Sequence, residues 1–237
     1  MKNKILFLVI FLSLTWPMHA VQIVSLGFNC RPAQALFDEH LRNASYPFDW
    51  IWTQADQLYK VIDDDFAHFL EPESLKPGHR GILDYYGLHF MHDFPTEHGI
   101  VDSPARSDWK DFIPIVREKY LRRINRFKNL LSGSEKIYLI RYYLVTKAQA
   151  IALRDLFIKK YPKLDFTLVV VSDSPDFKQD WQLSQIKNFH YVNVNSQNQA
   201  DKNTWKMIFD TLGLDILPIT RSWCYEFICD GICHKFH

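Results

Sequence analysis

A nearly unbroken apolar run, Phe166-Thr-Leu-Val-Val-Val171, constrains the fold of this chain more than any other feature. A strand that is apolar at successive positions has both faces covered, which is typical of a parallel sheet flanked by helices. Strand and helix patterns alternate around this run, at 136–145, 147–161, 189–194 and 204–212. We therefore expect an α/β fold of three layers, with a largely parallel sheet and helices on both of its faces.

The first half of the chain has less regular patterns. They predict a short strand over 21–26, a helix starting near residue 32, a second helix over 55–70, and one or two strands within 82–94. The clearest helix covers 111–131, because its apolar residues recur with helical spacing. That apolar stripe consists of Tyr120, Ile124, Phe127 and Leu131.

The first twenty residues have the layout of a secretory signal peptide. Lys2 and Lys4 give a basic start, residues 5–16 are apolar, and cleavage is expected after Ala20. The mature protein would then be secreted or periplasmic, whereas an uncleaved segment would hold it at the membrane. We expect residues 21–220 to form a single α/β domain and residues 221–237 to form a cysteine-containing tail.

Charge and cysteine spacing restrict the partners. The chain has 28 basic and 27 acidic residues, and two of the basic ones are Lys2 and Lys4 of the leader, so the mature chain is near neutral. Near neutrality argues against a nucleic-acid partner. The cysteines at 224, 229 and 233 lack the spacing of common zinc sites, so an oxidising compartment favours a disulfide there. We predict no cofactor, no metal and, after cleavage of the leader, no membrane partner.

Cys30 is the candidate nucleophile. The apolar strand ends near Gly27, and Cys30 stands where a helix begins. Unpaired N–H groups at a helix start favour the thiolate, which is the reactive form of cysteine. Asn29 and the backbone N–H groups of Cys30 and Arg31 are candidate donors to an oxyanion. Asn at such a position is more often a helix cap, so this role of Asn29 stays open.

A cysteine nucleophile needs a nearby base, and a third group usually orients that base. His92 is the first candidate for the base, because it lies in an aromatic segment just before a predicted loop. Its rivals are His68, His79, His89 and His98. Three carboxylates are alternatives for the third group: Asp173 after the apolar strand, Asp49 in Pro-Phe-Asp-Trp, and Asp93 beside His92. Neighbouring side chains on an extended segment point to opposite faces, which makes Asp93 a poor geometric partner.

Three segments carry a family resemblance: Ser25-Leu-Gly-Phe-Asn-Cys30, Ser45-Tyr-Pro-Phe-Asp-Trp50 and Phe90-Met-His-Asp93. Together they resemble a bacterial and viral family known as "putative papain-like cysteine peptidases", over roughly residues 22–210. The resemblance implies that Cys30 is a nucleophile and that His92 is its base. It also implies a papain-like α+β fold, an alternative to the three-layer α/β fold that the alternating strands and helices predict.

These observations predict an exported cysteine-dependent hydrolase, peptidase-like, or an acyltransferase, acting on a peptide, acyl or glycan-type substrate. The alternative is a non-catalytic exported binding domain, in which Cys30 is structural and Trp50 and Trp52 line a glycan groove or pack in the core. In a third interpretation Cys30 forms a disulfide with the tail. The sequence specifies neither a substrate nor an oligomeric state.

Overall fold

A computed structural model of the protein describes residues 21–99, 103–191 and 199–214. The predicted signal peptide and the cysteines of the predicted tail lie outside the described residues, so their cleavage and pairing stay predictions. Helices and strands follow one another as β1 (Gln22–Ser25), α1 (Arg31–Asp38), α2 (Ala55–Asp63), β2 (Lys76–Pro77), β3 (Ile82–Leu83), β4 (His89–Phe90), α3 (Ile113–Leu131), β5 (Ile137–Tyr142), α4 (Lys147–Lys160), β6 (Phe166–Ser172), β7 (Ile186–His190) and α5 (Gln199–Thr211).

The main sheet is parallel. Within the described residues it has four strands in the order β1-β5-β6-β7, so β1 and β7 are its edges. A second, small sheet is antiparallel and joins β2, β3 and β4. The carboxyl ends of the four parallel strands lie along one rim of the main sheet, where parallel α/β proteins place their sites.

Alternate residues of β5 show why the sheet is covered on both faces. Ile137 and Leu139 belong to a core cluster with residues of α2, α3 and α4. Tyr138 and Ile140 belong to a second cluster with residues of α1 and α5. Because neighbouring strand residues point to opposite faces, the sheet is the middle of three layers. The predicted mixed α/β fold is confirmed.

The helices differ in how closely they follow the prediction. The stripe predicted on α3 is buried along its whole length, from Tyr120 to Leu131. α2, predicted to reach residue 70, ends at Asp63 because the backbone turns there: Asp65 and Phe66 have φ values of 60° and 66°. Phe66 nevertheless stays in the core against Phe127, with ring centroids 6.0 Å apart. No helix within the described residues has both the length and the apolar character needed to cross a bilayer.

Candidate active site at Cys30

The loop after β1 turns sharply before α1 begins. Gly27 and Phe28 both have positive φ values, 75° and 86°, and the second is uncommon for a bulky residue. Cys30 is the N-cap of α1, and its carbonyl oxygen accepts the N–H of Gln34 at 2.9 Å. The Asn29 side-chain oxygen accepts the N–H of Arg31 at 3.0 Å. That oxygen therefore caps the start of the helix, which leaves the Asn29 amide nitrogen for other partners.

The Cys30 thiol is half-buried and forms no disulfide with any residue that the structure describes. Burial raises the pKa of the thiol above 9.0, although the Cys30 backbone N–H and the Arg31 charge act in the opposite direction. This corrects the expectation that the helix start would favour the thiolate. Removal from water destabilises the thiolate by more than the Cys30 N–H and the Arg31 charge stabilise it. No hydrogen bond joins the thiol to an imidazole in the part of the chain that the structure describes.

Aromatic side chains surround the loop that carries Cys30. The Phe28 ring contacts Tyr143 edge-on, with centroids 5.0 Å apart, and Trp52 at 5.8 Å. Tyr143 and Leu144 follow β5 and have φ values of 50° and 44°. Left-handed backbone at bulky residues stores strain and is concentrated at functional sites. The carboxyl ends of β1 and β5 thus meet in a strained, aromatic rim next to Cys30.

A buried arginine joins the two motif-bearing segments beneath this rim. Arg141 on β5 is completely buried. Its Nη1 donates to the Leu26 carbonyl oxygen at 3.1 Å and to Thr53 Oγ1 at 2.7 Å, and its Nη2 donates to the Thr53 carbonyl oxygen at 2.8 Å. Neither Arg141 nor Thr53 was predicted from the sequence as part of the site. The available signal was an arginine within an otherwise apolar strand, Ile-Tyr-Leu-Ile-Arg-Tyr.

Two imidazoles lie on the segment that pairs with Trp52, just after the second motif. His89 and Trp52 exchange backbone hydrogen bonds of 3.0 and 3.1 Å, and their rings lie 4.7 Å apart. Burial lowers the pKa of His89 from its ordinary value, which favours the neutral imidazole. The predicted base, His92, sits edge-on to Trp50 at 6.1 Å. His68 instead contacts Glu71 through Nδ1 at 3.1 Å, at a partly exposed position.

Two of the three candidate carboxylates are engaged in buried ion pairs. Asp49 accepts from Arg42 at 2.7 Å and from the Tyr46 N–H at 2.8 Å. Asp93 is paired with Lys119. Through these contacts both carboxylates stabilise buried parts of the fold.

The third candidate carboxylate, Asp173, is exposed just after β6. β6 lies two strands from β1 in the sheet order. Among the described residues none of the three carboxylates hydrogen-bonds an imidazole.

A cavity with a volume of about 260 Å³ lies between α1 and α5. Arg31, the residue after Cys30, lines it and forms a 2.5 Å ion pair with Asp201 of α5. Asp201 also accepts a hydrogen bond from Tyr191 Oη. Within the described ranges no group of three or more histidine, cysteine or acidic side chains is arranged to hold a metal ion.

Comparisons with known proteins bear on this region. The model of a family described as "Putative papain-like cysteine peptidase" matches residues 21–84, which confirms the resemblance seen in the first two motifs. An uncharacterised protein of Acanthamoeba polyphaga mimivirus is 28% identical over 142 residues, a match that covers 50% of this chain and 60% of the viral protein. The chain therefore spans less than two thirds of the length of that relative. No solved structure is significantly similar to this chain.

Proposed function

We propose that this protein is a cysteine-dependent hydrolase or acyltransferase whose nucleophile is Cys30. The observation that carries the proposal is the position of the thiol: partly exposed, in no disulfide within the described residues, and at the start of α1, in a strained loop at the carboxyl end of β1. The match to a family described as peptidase-like covers this loop and the second motif. A fold alone does not specify an activity, so the proposal rests on the site.

The chemistry begins with a neutral thiol, because burial raises its pKa. In the proposed mechanism His92 takes the thiol proton as the sulfur attacks a carbonyl carbon, and a C–S bond forms while the carbonyl oxygen becomes an oxyanion. The Cys30 N–H and the Asn29 amide nitrogen are the proposed donors to that oxyanion. When the C–S tetrahedral intermediate collapses, the leaving group departs with the proton from His92, and a thioester remains on Cys30.

The acceptor that resolves the thioester decides between the two activities. Water gives a carboxylic acid and completes a hydrolysis, whereas an amine or hydroxyl of a second substrate gives acyl transfer. In both cases His92 takes the proton of the attacking group, and the Cys30 thiol is regenerated. Peptidase activity is the case in which the leaving group is an amine, and the family description favours it.

The test combines an electrophilic probe with paired histidine variants. The protein is treated with a fluorescent acyloxymethyl ketone and with p-nitrophenyl esters, and Cys30→Ser, His92→Gln and His89→Gln are compared with the wild type. We expect labelling and turnover to vanish in Cys30→Ser and to fall by about 10²-fold or more in His92→Gln. His89→Gln is the matched control, since His89 lies on the same segment and contacts the other tryptophan. Labelling no faster than that of glutathione would contradict the proposal.

A second candidate is a non-catalytic binding domain, and one observation favours it. The Cys30 thiol has a raised pKa and no imidazole partner among the described residues, as expected for a structural cysteine. The Trp50 ring is then available to stack on a ligand such as a glycan, with the Arg42 guanidinium 5.3 Å from its centroid. Glycan-array binding that survives Cys30→Ser and is lost in Trp50→Ala would support this function over catalysis.

We also propose that the protein is exported, on the basis of its first twenty residues. The full chain is expressed in a bacterial host and the exported fraction is isolated. Amino-terminal sequencing is expected to start at Val21. A product that retains Met1 and stays with the membrane would instead support an uncleaved anchor.

A further inference from the structure

We propose that Arg141 positions Cys30 by fastening the loop after β1 to the segment after the second motif. This deepens the proposed function, and it rests on that function only in treating Cys30 as a nucleophile. Arg141 touches neither Cys30 nor the reacting atoms in the proposed chemistry. Its effect reaches the thiol through Leu26, Thr53 and Phe28.

The first step is the geometry of the guanidinium. Three of its hydrogen bonds go to two segments that are distant in sequence: one to the carbonyl oxygen of Leu26 and two to Thr53. A planar fork of donors can serve both segments at once, whereas a lysine ammonium at this position has one nitrogen and no fork. Arg141 therefore fixes the distance between the first loop and residue 53.

Hydrogen bonds connect Thr53 to the loop after β1. Thr53 Oγ1 accepts from Arg141 Nη1 and from the Phe28 N–H, at 2.7 and 3.3 Å. The Thr53 N–H donates in turn to the Phe28 carbonyl oxygen at 3.1 Å. Both backbone polar groups of Phe28 are therefore hydrogen-bonded to Thr53. These hydrogen bonds stabilise the φ value of 86° at Phe28, which is unfavourable for a phenylalanine. Cys30 follows two residues later.

The surroundings of Arg141 are unfavourable for a charged side chain. Arg141 is completely buried, its hydrogen-bond acceptors are all neutral, and its Nε has no hydrogen-bond partner among the described residues. Burying a charge without an opposite charge beside it costs free energy, so stability alone is a weak reason for an arginine here. A role in holding the Cys30 loop in one conformation explains why an arginine stands at position 141.

The experiment measures the reaction of Cys30 with iodoacetamide as a function of pH, in the wild type and in Thr53→Val, Thr53→Ser and Arg141→Lys. Thr53→Val keeps the shape but removes the oxygen that links Arg141 to Phe28. Thr53→Ser keeps that oxygen and is the matched control. We expect Thr53→Val and Arg141→Lys to react about tenfold faster at pH 8, because a loosened loop lets water reach the thiol and lowers its pKa. Thr53→Ser is expected to stay within about twofold of the wild type.

Two outcomes would overturn the proposal. One is a folded Thr53→Val or Arg141→Lys variant, judged by near-UV circular dichroism, whose pH profile of alkylation equals that of the wild type. If both variants fail to fold, hydrogen exchange of the wild type decides: the Phe28 amide should be as protected as the amides of β5, and exchange at the rate of an exposed loop contradicts the proposal. Alkylation needs no turnover, so a protein without hydrolase activity can still show the expected shift, which separates the two proposals.

Discussion

The Cα of Gly27 lies so close to the carbonyl oxygen of Phe48 that a Cβ at position 27 would come within 2.9 Å of that oxygen. Gly27 belongs to the first motif and Phe48 to the second, and Thr53 Oγ1 would lie 3.1 Å from the same Cβ. The two motifs are therefore packed backbone against backbone. This close approach leaves no room for a side chain at position 27.

Replacing Gly27 by alanine is predicted to lower the free energy of unfolding by about 2–4 kcal/mol. The added Cβ meets the Phe48 carbonyl oxygen, and the backbone has a φ of 75° that alanine disfavours. Gly213→Ala is the matched control, because Gly213 has a similar φ of 67° but nothing within 4 Å of its Cβ position. Urea denaturation should show a loss of about 1 kcal/mol in the control. Equal losses in the two variants would mean that the contact with Phe48 is unimportant.

A second prediction concerns the buried pair of Asp93 and Lys119. Burial alone would raise the pKa of Asp93, but the charges of Lys119 and Arg123 and the hydrogen bonds from Lys119 and Tyr120 outweigh it and lower the pKa below 3.8. The pair therefore stabilises the fold above about pH 3.8 and loses this effect as the pH falls through the lower, folded-state pKa.

Asp93→Asn is expected to lower the free energy of unfolding at pH 7 by about 3–5 kcal/mol, because it leaves the Lys119 ammonium without its carboxylate. The exposed pair of Arg106 and Asp108 supplies the control, and Asp108→Asn should be nearly silent. Alkylation of Cys30 in the folded Asp93→Asn variant should match the wild type. A changed pH profile of alkylation would give Asp93 a direct part in the site.

The Arg31 charge is predicted to make the Cys30 thiol more reactive. Burial raises the pKa of the thiol, and Arg31 works against that shift. Arg31→Gln should therefore move the pH midpoint of Cys30 alkylation upward and slow the reaction at pH 8, whereas Arg31→Lys should preserve both. The comparison of the two variants separates charge from packing, because each loses the guanidinium that pairs with Asp201. Identical profiles in the two variants would contradict an electrostatic role.

The sequence predicted the parts of the fold that depend on local pattern. The apolar run of β6 and the neighbouring helix α4 lie within a residue or two of their predicted bounds. β7 begins earlier than expected, at Ile186, because Ile186 and Lys187 pair with Leu168 and Val169 although the segment itself has little apolar character. Long-range pairing decided the position of this strand, and a local pattern does not contain that information.

The site shows the same division between local and long-range information. Cys30 could be placed at a helix start from the sequence, since Pro32 and the preceding glycine mark the turn. The protonation of its thiol could not be predicted, because the burial that raises the thiol pKa arises only when the chain is folded. Likewise, the contact of Arg141 with Thr53 joins residues 88 positions apart. Only the arrangement of β1, β5 and the second motif brings them together.

The buried carboxyl of Asp84 gives the last prediction, a dependence of stability on pH. Asp84 lies in the turn between β3 and β4, where its Oδ1 accepts the N–H groups of Tyr86 and Leu88. Its Oδ2 is buried and forms no hydrogen bond within the described part of the chain. Burial raises the pKa of Asp84 to about 7, and the backbone N–H groups only partly offset it. A carboxyl whose pKa is higher in the folded state binds its proton more tightly there, so its contribution to stability is present below about pH 3.8 and is lost as the pH rises through about 7.

Asp84→Asn should remove this dependence, because the amide oxygen can keep both N–H contacts and carries no charge. Between pH 5 and pH 8 the wild type is expected to lose about 2–3 kcal/mol of unfolding free energy relative to the variant, at 1.36 kcal/mol for each pKa unit, because the part of the shift between pH 3.8 and pH 5 is already lost at the start of this range. Urea denaturation at several pH values measures the difference, with Asp173→Asn as the exposed control. Curves for Asp84→Asn and the wild type that stay parallel across this range would show that the Asp84 carboxyl does not titrate there.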